Sequence, residues 1–324
     1  MYDKLNLYTH DGIFHADDVF ATALLSFMAE EINVVRGSDL DIPEDKDKWI
    51  IFDIGGGELD HHTPENKENN GTHPGTNIPY AACGLVWKKY YRDILTELDC
   101  PERYMESVFQ RLDTSLIQGI DAEDNAYSAI NEILSIIPNV PDTQKQQISF
   151  ASKTSFTVSQ VIKDFNPPWN SEMDYYDAFM DAVGFAKDVL LNRIDSIISG
   201  LDGRDYIMRN IDFSSNHIMF LEQFAPWEGI LYSMHNYPKA QDIWYVISPA
   251  LRGGWNIQCA LVDSKDRTVY RHPLPQEWYG LRYEKLQKVS GVQTAIFCHA
   301  SGFLAGTETE ADAFKMAEIA MKKK

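Results

Sequence analysis

The sequence is poor in the features that mark several large protein classes. Its 324 residues hold only four cysteines, Cys83, Cys100, Cys259 and Cys298. None forms a Cys-x-x-Cys pair, which argues against a thiolate zinc knuckle and against a disulfide scaffold. No stretch approaches the ~20 apolar residues that span a bilayer. The start, Met1-Tyr2-Asp3-Lys4, lacks the basic, then apolar, pattern of a secretory signal. Positive charge is also scarce: 29 Lys and Arg face 48 Asp and Glu, for a net charge of −19. Such a chain does not attract nucleic acid by its general surface, so a phosphate-bearing substrate needs local cations. The expectation is a reduced, cytoplasmic protein with no membrane partner.

The chain does carry alternating strand and helix signals over a length that suits about two domains. Leu5 to Tyr8 reads as a strand ending at Thr9-His10. Residues 17–30 place Val19, Phe20, Ala23, Leu24, Phe27 and Met28 at helical spacing. Asn33 to Arg36 and Trp49 to Phe52 read as further strands, the last running into Asp53. This alternation predicts a parallel α/β sheet, with working groups beyond the strand ends. Thr63 to Pro79 reads as a loop, Tyr80 to Leu98 and Ser107 to Ile120 as helices, and Pro138 to Thr154 as a connecting region. Pro167-Pro168 breaks the chain. Asp174 to Ile198 predicts a long amphipathic helix closed by Gly200. Strands at 243–247, 256–262 and 294–298 and a helix at 310–321 follow. The expected division is 1–165, a linker with the long helix at 166–204, and a smaller α/β domain at 205–324.

Two clusters carry potential chemistry. His10, His15 and Asp17 lie within eight residues at a strand-to-helix turn, and Asp60-His61-His62 follows Asp53-Ile54-Gly55-Gly56-Gly57. Glycines after Asp53 permit close approach to the backbone. Taken singly, an Asp before a helix is an N-cap and a His pair is a surface feature. Five of the nine histidines fall in the first 75 residues, and together with the acids they point to a metal site. Mixed His and carboxylate ligands suit Mn²⁺, with Mg²⁺, Co²⁺ or Zn²⁺ as alternatives.

Thr9-His10-Asp11-Gly12-Ile13-Phe14-His15-Ala16-Asp17-Asp18, Asp53-Ile54-Gly55-Gly56, Asp60-His61-His62 and Asp121-Ala122-Glu123-Asp124-Asn125 together resemble the melanocyte-proliferating-gene family of metal-dependent hydrolases and exonucleases, within the DHH phosphoesterase superfamily. Asp18 stands where that family has Glu. Phe165-Asn166-Pro167-Pro168-Trp169-Asn170, Arg271-His272-Pro273-Leu274-Pro275 and Phe297 to Phe303 extend the resemblance over nearly the whole chain.

The resemblance implies a DHH-like parallel-sheet domain followed by a smaller α/β domain, with the active site in the cleft between them. It implies two bound metal ions. His10, Asp17 and Asp53 match ligands of the first, Asp53 bridging, and His15 stands where other DHH enzymes have Asp. His61 and either Asp121 or Asp124 match ligands of the second. Asp60 and His62 would polarise that set or face substrate as catalytic groups. His299, Ser301 and Gly302 match a Gly-rich substrate-binding turn, with Arg271 and Arg282 available to phosphate oxygens and Trp255 or Phe303 to a base. The implied activity is 3′→5′ hydrolysis of RNA or short oligonucleotides, with a homodimer as one possible assembly. Hydrolysis of pyrophosphate or a small (cyclic) dinucleotide, and a metal-stabilised regulatory protein without turnover, are the rival readings.

Overall fold

A computed structural model describes residues 1–127, 134, 137, 141–153 and 156–323. The chain divides into two compact units, Met1–Ile198 and Ser199–Lys324.

Unit 1 is built on a parallel sheet of order β2-β1-β3, where β1 is Tyr2–His10, β2 Ala29–Gly37 and β3 Ile50–Ile51. β1 lies in the middle, pairing Tyr2 with Ala29 through His10 with Gly37 on one side, and Tyr8 with Ile51 on the other. Leu7, Tyr8 and Thr9 in its second half are successive and all buried, so both faces are covered, as in a central parallel strand. Helix α1, Ala16–Ser26, is buried all round, including Asp17 and Asp18. A helix buried on every side carries acids only where something else holds them. Helix α2 is Pro64–Asn70, α3 Ala82–Glu97, α4 Glu102–Leu112 and α5 Gln118–Asp124. A π-helical turn, Asp113–Ile117, joins α4 to α5.

Several boundaries differ from the sequence reading. The first helix stops at Ser26, and the Tyr2 amide donates to the Met28 carbonyl where the chain turns into β2. The loop after Thr63 contains α2, with Thr63 capping the Asn66 amide and Pro64 at the first helical position. The helix expected at 107–120 is three pieces, and Asp121 lies inside α5 instead of beyond it. The connecting region is largely a helix, Asp142–Lys153; Pro138 and Thr154 lie outside the described residues. A further helix, Val158–Phe165, ends before Pro167-Pro168. The long helix runs from Tyr175 to Phe213, straight through Gly200 and Gly203. Its apolar face continues past Gly200 with Leu201 and past Gly203 with Ile207 and Ile211, which outweighs the ~1 kcal/mol each glycine costs.

Unit 2 is a mixed five-stranded sheet of order β4-β5-β6-β10-β9. Here β4 is Ile218–Phe220, β5 Tyr245–Pro249, β6 Trp255–Cys259, β9 Ala295–Cys298 and β10 Leu304–Thr307. β4 and β5 run parallel, and the other neighbours run antiparallel. β7, Leu261–Asp263, and β8, Asp266–Tyr270, form a separate hairpin. Side chains alternate along β5. Tyr245 and Ile247 pack with Ala313, Met316 and Ala317 of the helix Glu310–Met321, while Val246 packs with Ile207, Ile211 and Leu231. No described helix is long and apolar enough to cross a membrane.

Candidate metal centre

The ends of β1 and β3 deliver the first groups. His10 is the last residue of β1, and its Nδ1 contacts the Asp11 carbonyl at 2.8 Å. A carbonyl only accepts, so Nδ1 donates and Nε2 presents its other face to Asp18 Oδ2 and Asp53 Oδ2, both at 3.3 Å. Asp53 follows β3 with a left-handed backbone, φ 60°, which Asp tolerates better than most residues. Its amide donates to the Leu59 carbonyl, closing the loop that carries Asp60-His61-His62 back to the strand end. Asp60 holds that loop by accepting from the Gly56 and His62 amides and from His62 Nδ1. Burial works against its charge, but the bonds from His62 and Gly56 bring its carboxyl down to about 2.

His61 lies between acids. Its Nε2 meets Asp124 Oδ2 at 2.9 Å, while Nδ1 faces Asp53 Oδ1 at 3.4 Å and Asp17 Oδ2 at 3.9 Å. Asp17 is fixed from behind by the amides of Ala82 and Cys83, at 3.0 and 2.7 Å. Asp18 Oδ1 accepts from the His15 and Val19 amides, closing the first turn of α1, and its Oδ2 lies 3.6 Å from Arg36. His15 is exposed at the N-cap of α1, its ring centroid 6.1 Å from that of His10.

The electrostatics suit a cation. Asp17, Asp18, Asp53 and Asp60 are all at most 3% exposed. Burial, then Asp53, Asp124 and Asp121, push Asp17 well above the usual carboxylate range. Burial raises Asp18 to about 7 against the pull of His10 and Arg36. Burial lowers the basicity of His10, but Asp53 and Asp18 overcome it and hold the imidazole near 9. Among the described residues, Asp18 Oδ2, Asp53 Oδ1 and His61 Nδ1 are buried without a hydrogen-bond partner. A buried imidazole nitrogen and a buried carboxylate oxygen that face each other without a hydrogen bond are a costly pair, and a shared cation would satisfy both. Ligand atoms of His10, Asp18 and Asp53, of Asp53, Asp60, His61 and His62, and of Asp17, His61 and Asp124 each lie within 4.8 Å of one another. The cluster could therefore hold a metal ion, and its donors are those of a divalent cation.

The cluster opens on a cleft of about 840 Å³ lined by His10, His15, Asp17, Asp53, Asp60, His62 and Asp124, with Asp39, Glu123, Ser159 and Lys163 around them.

Of the residues singled out by sequence, His10, Asp17, Asp53, Asp60, His61, His62 and Asp124 come together. Asp121 stands beside Asp17, grouped with it and Cys83, and its oxygens take the Ala81 and Gly84 amides and His73 Nε2. The remaining candidates belong to unit 2. His299 Nδ1 pairs with Ser301 Oγ at 2.8 Å in a turn closed by Gly302, φ 67°. Ser301 and Phe303 line a separate 230 Å³ pocket. Arg282 is exposed at the N-cap of the helix Tyr283–Ser290. Arg271 is committed to structure, donating to the carbonyls of Ala240, Gln241, Ile243 and Leu261. Trp255 stacks on Phe220 against the core.

Sequence reasoning missed His73, Asp113 and Arg36, and quoted Asp18 and Asn166 inside motifs without giving either a role. His73 is the fifth early histidine, outside both clusters. It is fully buried between Asp113 and Asp121. The spacing His15-x-x-Asp18 is that of an N-terminal capping pair and was a usable signal. Asn166 bonds both the amide and the carbonyl of Phe14, tying the Pro-Pro turn to the His10–His15 loop.

A buried set of carboxylates and imidazoles at the C-terminal ends of parallel strands, able to hold a metal and open to a cleft, defines the class of site. The chain belongs to the MYG1_exonuc family, described as an uncharacterised protein family (UPF0160), whose model matches residues 6–321. It is 28% identical to a MYG1 protein of Schizosaccharomyces pombe over 99% of this chain and 98% of that one. It is 27% identical to a MYG1 protein of Dictyostelium discoideum, over 97% and 95%. It is also 27% identical to the MYG1 exonuclease of Homo sapiens, over 97% of this chain and 85% of that protein. No solved structure matches the chain.

Proposed function

We propose that this chain is a metal-dependent phosphoesterase of the DHH type, a 3′→5′ exonuclease acting on RNA or short oligonucleotides with two Mn²⁺ ions. The observation that carries the reading is the orphaned pair His61 Nδ1 and Asp53 Oδ1, buried 3.4 Å apart, with Asp53 lining an open cleft. His10 and Asp53, with His15 at the rim, would hold one ion, and Asp17, Asp53, His61 and Asp124 the other; Asp17, expected with the first ion, groups instead with His61 and Asp124. Divalent ions there would supply the Lewis acidity that offsets phosphodiester charge and acidifies the attacking water.

The chain's own groups have distinct tasks. Asp124 orients the His61 ring. Asp60 holds His62 by Nδ1 and, by that bond first, raises the imidazole above its ordinary value. His62 lines the cleft with its other nitrogen available, so it is the group suited to protonate the leaving oxygen. Lys163 and Ser159 offer a cation and a hydroxyl to a phosphate. Asp39 and Glu123 in the same lining disfavour a long polyanion. That acidity favours short substrates and keeps a dinucleotide or pyrophosphate as a second reading.

The test compares an end-labelled RNA oligomer, a dinucleotide and pyrophosphate with Mn²⁺ present. Stepwise shortening from the 3′ end supports the proposal. Turnover of pyrophosphate alone transfers it to the second reading, and turnover of none refutes both.

A further inference from the structure

Helix α3 begins Ala81-Ala82-Cys83-Gly84 and has no side chain able to cap its own first turn. Two acids from elsewhere in the chain do it. Asp17 takes the amides of Ala82 and Cys83, and Asp121 takes those of Ala81 and Gly84. Four successive amides are thus shared between one carboxylate that also faces His61 and one that does not. Asp121 reaches this close only because position 84 is glycine: a Cβ there would lie 1.9 Å from Asp121 Oδ2.

Asp121 is itself held from behind. His73 Nε2 lies 2.8 Å from Asp121 Oδ2, and His73 Nδ1 lies 2.8 Å from Asp113 Oδ1. Asp113 opens the π-helical turn before α5, and Gln118 bonds its second oxygen at 2.9 Å. Both ring nitrogens of a fully buried imidazole are spent on carboxylates, and His73 is not among the residues that line the cleft.

We propose that His73 and Asp113 are positioning residues for the metal centre: they fix Asp121 on the first turn of α3, and that turn fixes Asp17. The chain of contacts runs Asp113, His73, Asp121, the 81–84 amides, Asp17. A carboxylate set by two backbone amides is only as well placed as those amides, and support of this kind typically carries a 10- to 100-fold effect on metal affinity. The inference rests on the two-ion reading and adds an asymmetry to it. Loss of His73 loosens the ion that uses Asp17 and leaves the ion at His10 and Asp53 in place, because the His10 contacts come from the ends of β1 and β3.

The experiment is a Mn²⁺ titration of the full chain, followed by calorimetry and by electron paramagnetic resonance, well below the melting temperature. Wild type, His73→Asn and Asp113→Asn are compared, with circular dichroism checking that each is folded. Asp113→Asn keeps shape and an acceptor for His73, so it carries the test if His73→Asn does not fold. The expected result is two ions in wild type and a roughly 10- to 100-fold weaker second ion in the variants, the first unchanged. A folded variant with both affinities unchanged overturns the positioning role while leaving the two-ion reading intact. Equal weakening of both ions also overturns it, since the asymmetry is lost. Wild type that binds no Mn²⁺ overturns the two-ion reading itself.

Discussion

Removing divalent metal from this protein should cost it a large, measurable part of its thermal stability. The metal-free centre buries Asp17, Asp18 and Asp53 together, with Arg36, His10, His61 and His62 as the basic side chains within 3.9 Å of them among the described residues. Each buried charge that lacks full compensation is expensive, and an ion bound only by the folded state relieves it. At 100 times its dissociation constant, one ion contributes about 2.7 kcal/mol. For a domain of 150–250 residues, 1 kcal/mol moves Tm by about 2–4 °C, and unit 1 comprises residues 1–198. One Mn²⁺ should therefore raise Tm by about 5–10 °C and two by about 10–20 °C. The assay is calorimetry of chelator-stripped protein with and without Mn²⁺, alongside Asp53→Asn. That substitution conserves shape and the left-handed backbone at φ 60° but removes the charge shared by both ligand groups. Its transition should not respond to Mn²⁺. A wild-type Tm indifferent to saturating Mn²⁺, or an equal rise in Asp53→Asn, would refute the reasoning.

Three other outcomes follow from the same geometry. Gly84→Ala drives a methyl into Asp121 and should cost about 1–3 kcal/mol in denaturant unfolding, a loss that an unchanged midpoint would disprove. Arg271→Met leaves four carbonyls short of their donor and should destabilise unit 2 by about 2 kcal/mol or more without raising KM; a higher KM at unchanged stability would return Arg271 to a substrate role. The metal-free protein should also weaken as pH rises from 6.5 to 9. Burial opposes the His73 charge, but Asp113 and Asp121 hold its pKa near 9. Its stabilisation is complete below the unfolded value of about 6.5 and is lost as pH passes the folded value. His73→Asn should flatten that limb of the curve, and an identical slope in the variant would contradict the assignment.

The parts of the site that were legible in sequence are those made by neighbours in the chain. His10 and Asp53 stand where apolar strands end, and strand ends of a parallel sheet collect working groups whatever follows. Asp60, His61 and His62 are contiguous. Asp124 and Asp121 could not be told apart, because three residues on a helix place both on nearly one face, and only the position of α3 decides which meets His61. His73 was out of reach for another reason. Its partners are 40 and 48 residues away, and it lies in a Gly- and Asn-rich stretch with no periodicity of its own. The boundaries failed where local propensity lost to packing. Asn-rich α2 is capped into a helix by Thr63 and Pro64, and the long helix ignores Gly200 because its buried stripe resumes at Leu201.

The central claim is that the acids and imidazoles around Asp53 hold the ions that make the chain a phosphoesterase. The most direct measurement is hydrolysis of a 5′-labelled RNA oligomer by wild type and Asp53→Ala, each stripped of metal and then supplied with Mn²⁺, with bound metal counted in the same samples. The account predicts a ladder shortened from the 3′ end only in wild type with Mn²⁺, and loss of both bound metal and turnover in Asp53→Ala. Turnover that survives in stripped protein, or an Asp53→Ala variant that keeps metal and activity, would contradict it.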